Sequence, residues 1–492
     1  MLSCHLAPWR FTASAVMAVL TISGAALAQH PRLPLSPCRL KGGLQATCGS
    51  FDVPEDRAKP DGRHLKLRVA VVPALARSPR ADPLFMLAGG PGQAATEAFP
   101  ELVTMAFERV HRSRDIVLVD QRGTGSSNPL KCQFVDADAP LAKRIADPGF
   151  PAERLKACLE GYDADPRLYT TSIAMEDLDE VRRALGYGPI DLWGGSYGTR
   201  AALVFLREHG DAVRSVILDG VAPPPLRLPI SFAADAQRAL DRLFLACANE
   251  EPCAKAWPDL PARFERLLSR LDTSPPRVTV ADPLTGAPVQ LTIDRDVMTS
   301  VLRVVLYQPG MAVLVPLVIA RAEGGDFGPL VAMAAAFDAG TRDAMAVGMM
   351  LSVVCTEDVP RIADGEWASA AKGTFLGEAV FRPFREGCAV WPKGEAPAGF
   401  GEPVRSDKPV LLLSGEVDPV TPPAWAEQAA KTLPNSRHFV VPGVGHGASS
   451  VGCVPRLISE FLDSANPAAL DGTCVTTQKR PPFFVNFAGP TP

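Results

Sequence analysis

Short apolar runs alternate with stretches of helical period from about Leu65 to Val221. Residues 65–72, 84–87, 116–119, 190–193 and 216–218 are mostly apolar runs, which predicts strands. Residues 175–185, between two of these runs, carry a helical pattern. Strands separated by helices predict a mostly parallel sheet covered by helices, an α/β fold. The pattern then changes. Pro223-Pro224-Pro225 opens a proline-rich linker, and residues 232–248 and 260–271 are amphipathic, the latter with Phe264, Leu267, Leu268 and Leu271 on one face. Val278-Thr279-Val280 and Val289-Gln290-Leu291 flank Pro283-Leu284-Thr285-Gly286, which reads as a hairpin. Residues 302–320 are apolar but broken by Pro309 and Pro316, and read as buried structure rather than a membrane span. The stretch 222–350 is therefore expected to be a mainly helical cap inserted between two parts of the core, 29–221 and 351–474, with a tail at 475–492.

Candidate chemistry lies where the fourth of these runs ends. Gly194-Gly195-Ser196-Tyr197-Gly198 follows Ile190-Asp191-Leu192-Trp193 and precedes a helical stretch at 199–208. Strand, sharp turn and helix with one serine at the tip form the nucleophile elbow of the α/β-hydrolase fold. A serine hydroxyl needs a base, and the base an orienting carboxylate, in the chain order serine, acid, histidine. Of seven histidines, only His446, in Gly443-Val444-Gly445-His446-Gly447, follows a strand on a glycine-flanked loop. A satisfied loop histidine is the competing reading. The buried run 408–415 ends in Glu416-Val417-Asp418-Pro419, which makes Asp418 the expected acid, Glu416 the alternative on the same loop and Asp219 a third choice. A cap on the helix that follows is the competing reading for Asp418. The oxyanion of an attacked carbonyl needs N–H donors. The expected donors are Tyr197, after the nucleophile, and Gly90, with Gly89 second, in the loop Ala88-Gly89-Gly90-Pro91-Gly92. A plain Gly-Pro turn is the alternative there.

Together these segments resemble the proline iminopeptidase and tripeptidyl aminopeptidase group of α/β-hydrolase serine peptidases. The likeness rests on Gly89-Gly90-Pro91-Gly92, Asp120-Gln121-Arg122-Gly123-Thr124-Gly125-Ser126-Ser127, the serine elbow, Gly415-Glu416-Val417-Asp418-Pro419-Val420-Thr421-Pro422 and Gly445-His446-Gly447. It implies an enzyme that releases residues from free N-termini of peptides, with Ser196, Asp418 and His446 as the triad; an esterase or amidase acting on small acyl substrates is the alternative. It also implies that the loop from Asp120 supports the floor of the site. The group commonly has histidine or asparagine before Gly-Gly-Pro-Gly, where this chain has Ala88. An aminopeptidase also needs acidic groups for the substrate ammonium. Glu357 and Asp358 are candidates, against the reading of a solvated loop or helix cap.

Composition narrows the partners and the compartment. The chain has 492 residues, 47% hydrophobic, with net charge −4. It has no basic block, so nucleic acid is not an expected partner. No metal motif, dinucleotide fingerprint or P-loop occurs, and no cofactor or metal is expected. Arg10, an apolar run at 11–27 and Ala26-Leu27-Ala28 read as an export signal at 1–28, with an uncleaved anchor as the alternative. The expectation is a periplasmic or secreted protein without stable membrane association. Outside the signal, the cysteines number ten of the eleven in the chain, an even set that favours disulfides after export. They fall into neighbouring pairs: Cys38 with Cys48, Cys132 with Cys158, Cys247 with Cys253, Cys355 with Cys388, and Cys453 with Cys474. The apolar tail segment Pro481-Pro482-Phe483-Phe484-Val485 is expected to pack on the body or on a partner.

Overall fold

A computed structural model describes residues 1–3, 33–136, 139–145, 149–341 and 344–490. The proposed signal, 1–28, lies outside the described residues apart from the first three. All elements below belong to the unit Arg32–Pro492. The strands are β1 (Ser36–Arg39), β2 (Gln45–Pro54), β3 (His64–Val72), β4 (Leu84–Leu87), β5 (Ile116–Val119), β6 (Ile190–Gly195), β7 (Val213–Asp219), β8 (Arg277–Ala281), β9 (Pro288–Thr292), β10 (Val410–Gly415) and β11 (Ser436–Val441). Nine of them form one sheet in the order β1-β2-β3-β5-β4-β6-β7-β10-β11. From β5 to β11 every neighbouring pair is parallel, and β1 to β3 add an antiparallel edge.

Alternation along the central strands fills both faces. In β10, Val410 and Leu412 join one core cluster, while Leu411 and Leu413 join the other. In β6, Leu192 faces the first cluster and Trp193 the second. The first face is covered by the helix Tyr197–Glu208 through Ala201, Ala202 and Phe205. The second is covered by the helix Val454–Ser464 through Leu457 and Phe461. Side chains buried on both faces explain why these strands read as continuous apolar runs.

No described strand of the main sheet falls between Asp219 and Val410. Helices Phe232–Asn249, Leu260–Thr273, Arg295–Val305 and Val315–Glu323 and the antiparallel pair β8–β9 occupy that interval. They share a separate core of Leu240, Phe244, Phe264, Leu267, Leu302 and Ile319. Leu141 and Ile145 join this cap core from well before the insertion, a tertiary contact the local pattern does not carry. Ala346, Met349 and Val353 instead pack into the sheet-side cluster.

All five expected cysteine pairs are disulfides. The tail packs on the cap. Phe483 is buried in the cap core, its N–H donates to the Glu250 carboxylate at 3.0 Å, and Trp257 donates to the Phe484 carbonyl at 3.1 Å.

Candidate active site

The chemistry gathers at the carboxyl ends of β4, β6, β7, β10 and β11. β6 ends at Gly195 and the next helix begins at Tyr197, which leaves Ser196 alone in the turn at φ 57° and ψ −125°. That left-handed conformation is unfavourable for serine and is imposed by the surroundings. The glycines on each side are required by close approach. A Cβ on Gly194 would lie 2.3 Å from the Gly198 carbonyl oxygen, and one on Gly198 would lie 2.0 Å from the Leu87 carbonyl oxygen. The Ser196 N–H donates to the Asp219 carbonyl at 2.9 Å, so the elbow is anchored to the end of β7.

The histidine loop hangs from the same point. The Asp219 carboxylate accepts the Ala448 N–H at 2.8 and 3.0 Å and the Ser449 N–H at 2.8 Å. A Cβ on the neighbouring Gly220 would stand 3.1 Å from His446 Cε1, so the imidazole rests against the chain that also holds Ser196. His446 Nδ1 bonds Asp418 Oδ2 at 2.8 Å. With Nδ1 engaged, Nε2 is the nitrogen that remains to act as a base. Asp418 is fully buried. Its Oδ1 accepts the N–H groups of Val420 and Thr421, both at 2.9 Å, and its Oδ2 accepts the Thr421 hydroxyl at 2.8 Å. Asp418 therefore organises its own turn as well as facing His446. Glu416 instead pairs with Arg242 at 2.7 Å and accepts the Gly443 N–H at 3.0 Å. Asp219 is bonded to loop backbone rather than to the ring.

Burial alone would raise the Asp418 carboxyl. The charge of His446, its hydrogen bond and the Thr421 and Val420 N–H groups outweigh burial and hold it below its ordinary value. Burial likewise opposes the imidazolium, but the Asp418 charge and hydrogen bond, with Asp219, raise His446 above its usual range; Arg303 works against that rise.

Of the expected oxyanion donors, Tyr197 follows Ser196 directly and Gly90 lies in the loop whose Gly89 adjoins it. Tyr197 is the first residue of its helix, so its N–H has no intrahelical acceptor. A Cβ on Gly89 would lie 3.1 Å from Ser196 Cβ, which sets the Gly89–Gly90 loop beside the nucleophile. Gly90 has φ 108°. Behind the loop, Ala88 is buried without a polar side chain. The loop is held by Gln93 N–H to Gly89 O at 3.2 Å and Ala346 N–H to Gly92 O at 2.9 Å. The Asp120 carboxylate accepts the Thr96 N–H and hydroxyl, both at 2.9 Å, which braces the chain just beyond it. Arg122 is fully buried and grips both oxygens of Asp177.

Comparison with known proteins agrees with this fold. Residues 82–269 match the alpha/beta hydrolase fold, and residues 374–474 match the TAP-like protein family. The chain has the α/β-hydrolase fold. The chain is 29% identical over 264 residues to the serine protease Hip1 of Mycobacterium tuberculosis, covering 48% of this chain and 49% of that one. It is 32% identical over 191 residues to the tripeptidyl aminopeptidase of Streptomyces lividans, covering 36% and 35%. A probable proline iminopeptidase of Streptomyces coelicolor is 30% identical over 200 residues, covering 40% and 50%. The chain thus spans about half the length, or less, of the curated relatives it matches.

Glu357 and Asp358 are neither solvated nor open to a ligand. Both are buried in the helical turn Val354–Asp358. Asp358 pairs with Arg200 at 2.8 Å and Arg361 at 3.1 Å. Glu357 accepts the Thr171 N–H at 2.6 Å and hydroxyl at 2.8 Å, and the Tyr197 hydroxyl bonds the same Thr171 hydroxyl at 2.7 Å. Burial pushes the Glu357 carboxyl up to about 7, against the opposing charge of Arg200. The pair braces the nucleophile helix from behind. The expectation that they bind a substrate ammonium is corrected by these partners.

Four residues at the site were not anticipated. Thr421 touches both Asp418 and His446 Nδ1, the latter at 3.1 Å; its position three residues after Asp418 was the available signal. Arg238 donates to the Asp418 carbonyl at 2.9 Å from the cap. Tyr307 accepts the His446 N–H on its carbonyl at 3.0 Å, and its ring meets the imidazole edge-on at 5.2 Å. Arg303 lies one helical turn before Tyr307 and donates to its hydroxyl at 3.3 Å. The three cap residues are brought to the site by tertiary packing alone.

Proposed function

We propose that this protein is an exported serine aminopeptidase that removes residues from free peptide N-termini through an acyl-enzyme. The observation that carries the reading is the Asp418–His446 pair set on the same β7 support as the strained Ser196. Ser196 attacks the carbonyl, His446 takes its proton and later delivers it to the leaving amine, and Asp418 fixes the ring tautomer and stabilises the imidazolium. The N–H groups of Tyr197 and Gly90 receive the oxyanion. Water then releases the acyl group. The peptidase names of the relatives support a peptide substrate over a small ester.

With Glu357 committed to Thr171 and Asp358 to Arg200 and Arg361, we assign the substrate ammonium to Asp235. This carboxylate is half-buried on the cap helix that also bears Arg238. It accepts Trp425 Nε1 at 3.0 Å, and no described cation comes within 4.0 Å of it. Burial pushes it up to about 6, and a cationic ligand would restore its charge. Export is supported by the five disulfides, which persist in oxidising compartments. No described helix is long and apolar enough to cross a membrane.

The test is a panel of aminoacyl, prolyl and tripeptidyl p-nitroanilides, with free and acetylated N-termini, beside short aryl esters. Release from free-amine anilides by the wild type, and none by Ser196→Ala, is expected. Equal cleavage of acetylated anilides, or of esters alone, would overturn the aminopeptidase reading.

A further inference from the structure

The cap sets a cation with no counter-ion among the described residues beside the histidine. Arg303 projects from the helix Arg295–Val305 and lies between two aromatic rings, 4.4 Å above Phe232 and 5.8 Å from Tyr307. Among the described residues its one hydrogen bond is to the Tyr307 hydroxyl, and its Nε is sealed from solvent with no partner. Among the described residues, no carboxylate comes within 4.0 Å of the guanidinium. The other arginines around the site are engaged. Arg200 and Arg361 hold Asp358, Arg242 holds Glu416, and Arg238 reaches the Asp418 carbonyl. A half-buried guanidinium flanked by aromatic faces and lacking a counter-ion forgoes the stabilisation its neighbours gain. Such a planar, delocalised cation on aromatic faces is suited to paired recognition of a carboxylate.

Its position says which part of a substrate it would meet. His446 returns its proton to the departing amine, so whatever adjoins the outer side of the imidazole adjoins the leaving fragment. Tyr307 is that neighbour through its ring, while its carbonyl holds the His446 backbone N–H, and Arg303 donates to the hydroxyl of that ring. We infer that Arg303 binds a carboxylate carried by the leaving fragment, either its C-terminal carboxylate or the acidic side chain of its first residue. The inference rests on the peptidase reading and deepens it, because it makes short or acidic leaving fragments the favoured ones. Tyr307 holds the guanidinium and the histidine loop together, so the carboxylate contact would also fix the leaving amine near His446.

The experiment keeps one acyl part, the best found among the free-amine anilides, and varies the leaving group. The pair ending in glycine and glycinamide tests the C-terminal carboxylate. The pair with glutamate amide and glutamine amide tests the side chain. In the wild type the charged member of at least one pair should have kcat/KM higher by about 10- to 100-fold, the range of a charge-assisted hydrogen bond. In Arg303→Met that ratio should fall to about one, and in Arg303→Lys it should remain above one. The ratio is read within each variant, so a general loss of activity does not mimic the result. A wild-type ratio of one in both pairs, or an unchanged ratio in Arg303→Met, would overturn the inference while leaving the peptidase reading intact. Absence of Ser196-dependent cleavage of every anilide and every peptide would overturn both.

Discussion

Asp219→Asn separates the residue that supports the histidine loop from the residue that orients the ring. In the wild type both Asp219 oxygens are used, by the Ala448 N–H at 2.8 and 3.0 Å and the Ser449 N–H at 2.8 Å. Asparagine keeps one carbonyl oxygen and turns an NH2 group towards an N–H donor. At least one charge-assisted hydrogen bond is lost, at roughly 1.5–3 kcal/mol, and a buried donor is left facing a donor. The loop that carries His446 should shift, lowering kcat by about 10- to 100-fold if most of that energy is lost from the transition state. The melting temperature should fall as well. Asp418→Asn removes the carboxylate that sets the His446 tautomer, and a loss on the order of 10,000-fold in kcat is expected. The assay is steady-state hydrolysis of the preferred anilide, with thermal unfolding followed in parallel. If Asp219→Asn were as inactive as Ser196→Ala while Asp418→Asn kept a tenth of its activity, Asp219 would be the acid and the assignment of Asp418 would be refuted.

Four further outcomes can be checked. Because His446 is raised above its ordinary 6.5 and must be neutral to act as base, kcat/KM should fall on the acid side with a midpoint above pH 6.5; a midpoint below pH 6 would contradict the Asp418 pairing. Glu357 has a folded value of about 7 against an ordinary 4.5, so its contribution to stability is present below 4.5 and lost as pH rises through about 7; Glu357→Gln should flatten thermal stability over that window, and an unaltered slope would contradict it. The bond Cys355–Cys388 closes a loop with sequence separation 33, and replacing both cysteines with serine should cost about 3–4 kcal/mol in denaturant unfolding. Asp235→Asn should raise KM for free-amine anilides; an unchanged KM would remove Asp235 from ammonium binding.

Much of this arrangement could be read from the chain because its signals are local. The strands β4, β5, β6 and β10 are buried on both faces and leave unbroken apolar runs. The elbow needs glycine at 194 and 198 for contacts under 2.5 Å, so it is written in the sequence as glycine. The disulfides join cysteines that are neighbours along the chain. What could not be read depends on distant packing. β1 and β2 form an antiparallel edge whose mixed burial gives no clean period. Glu357 and Asp358 look like a solvated acidic pair until Arg200, from the nucleophile helix, is brought against them. Arg303 and Tyr307 belong to the cap by sequence and to the histidine by contact. Asp219 ends β7 in the position of a plausible acid, and only the path of the loop after His446 shows that its partners are backbone N–H groups.

The central claim is that Ser196 is a nucleophile activated by His446. The most direct measurement is reaction of the folded protein with a fluorophosphonate, followed by peptide mapping of the adduct. The account predicts one adduct, on Ser196, with labelling at least a hundredfold slower in His446→Ala, whose loss of the base leaves an unactivated hydroxyl. An adduct on another residue, or labelling of Ser196 at an undiminished rate without His446, would contradict it.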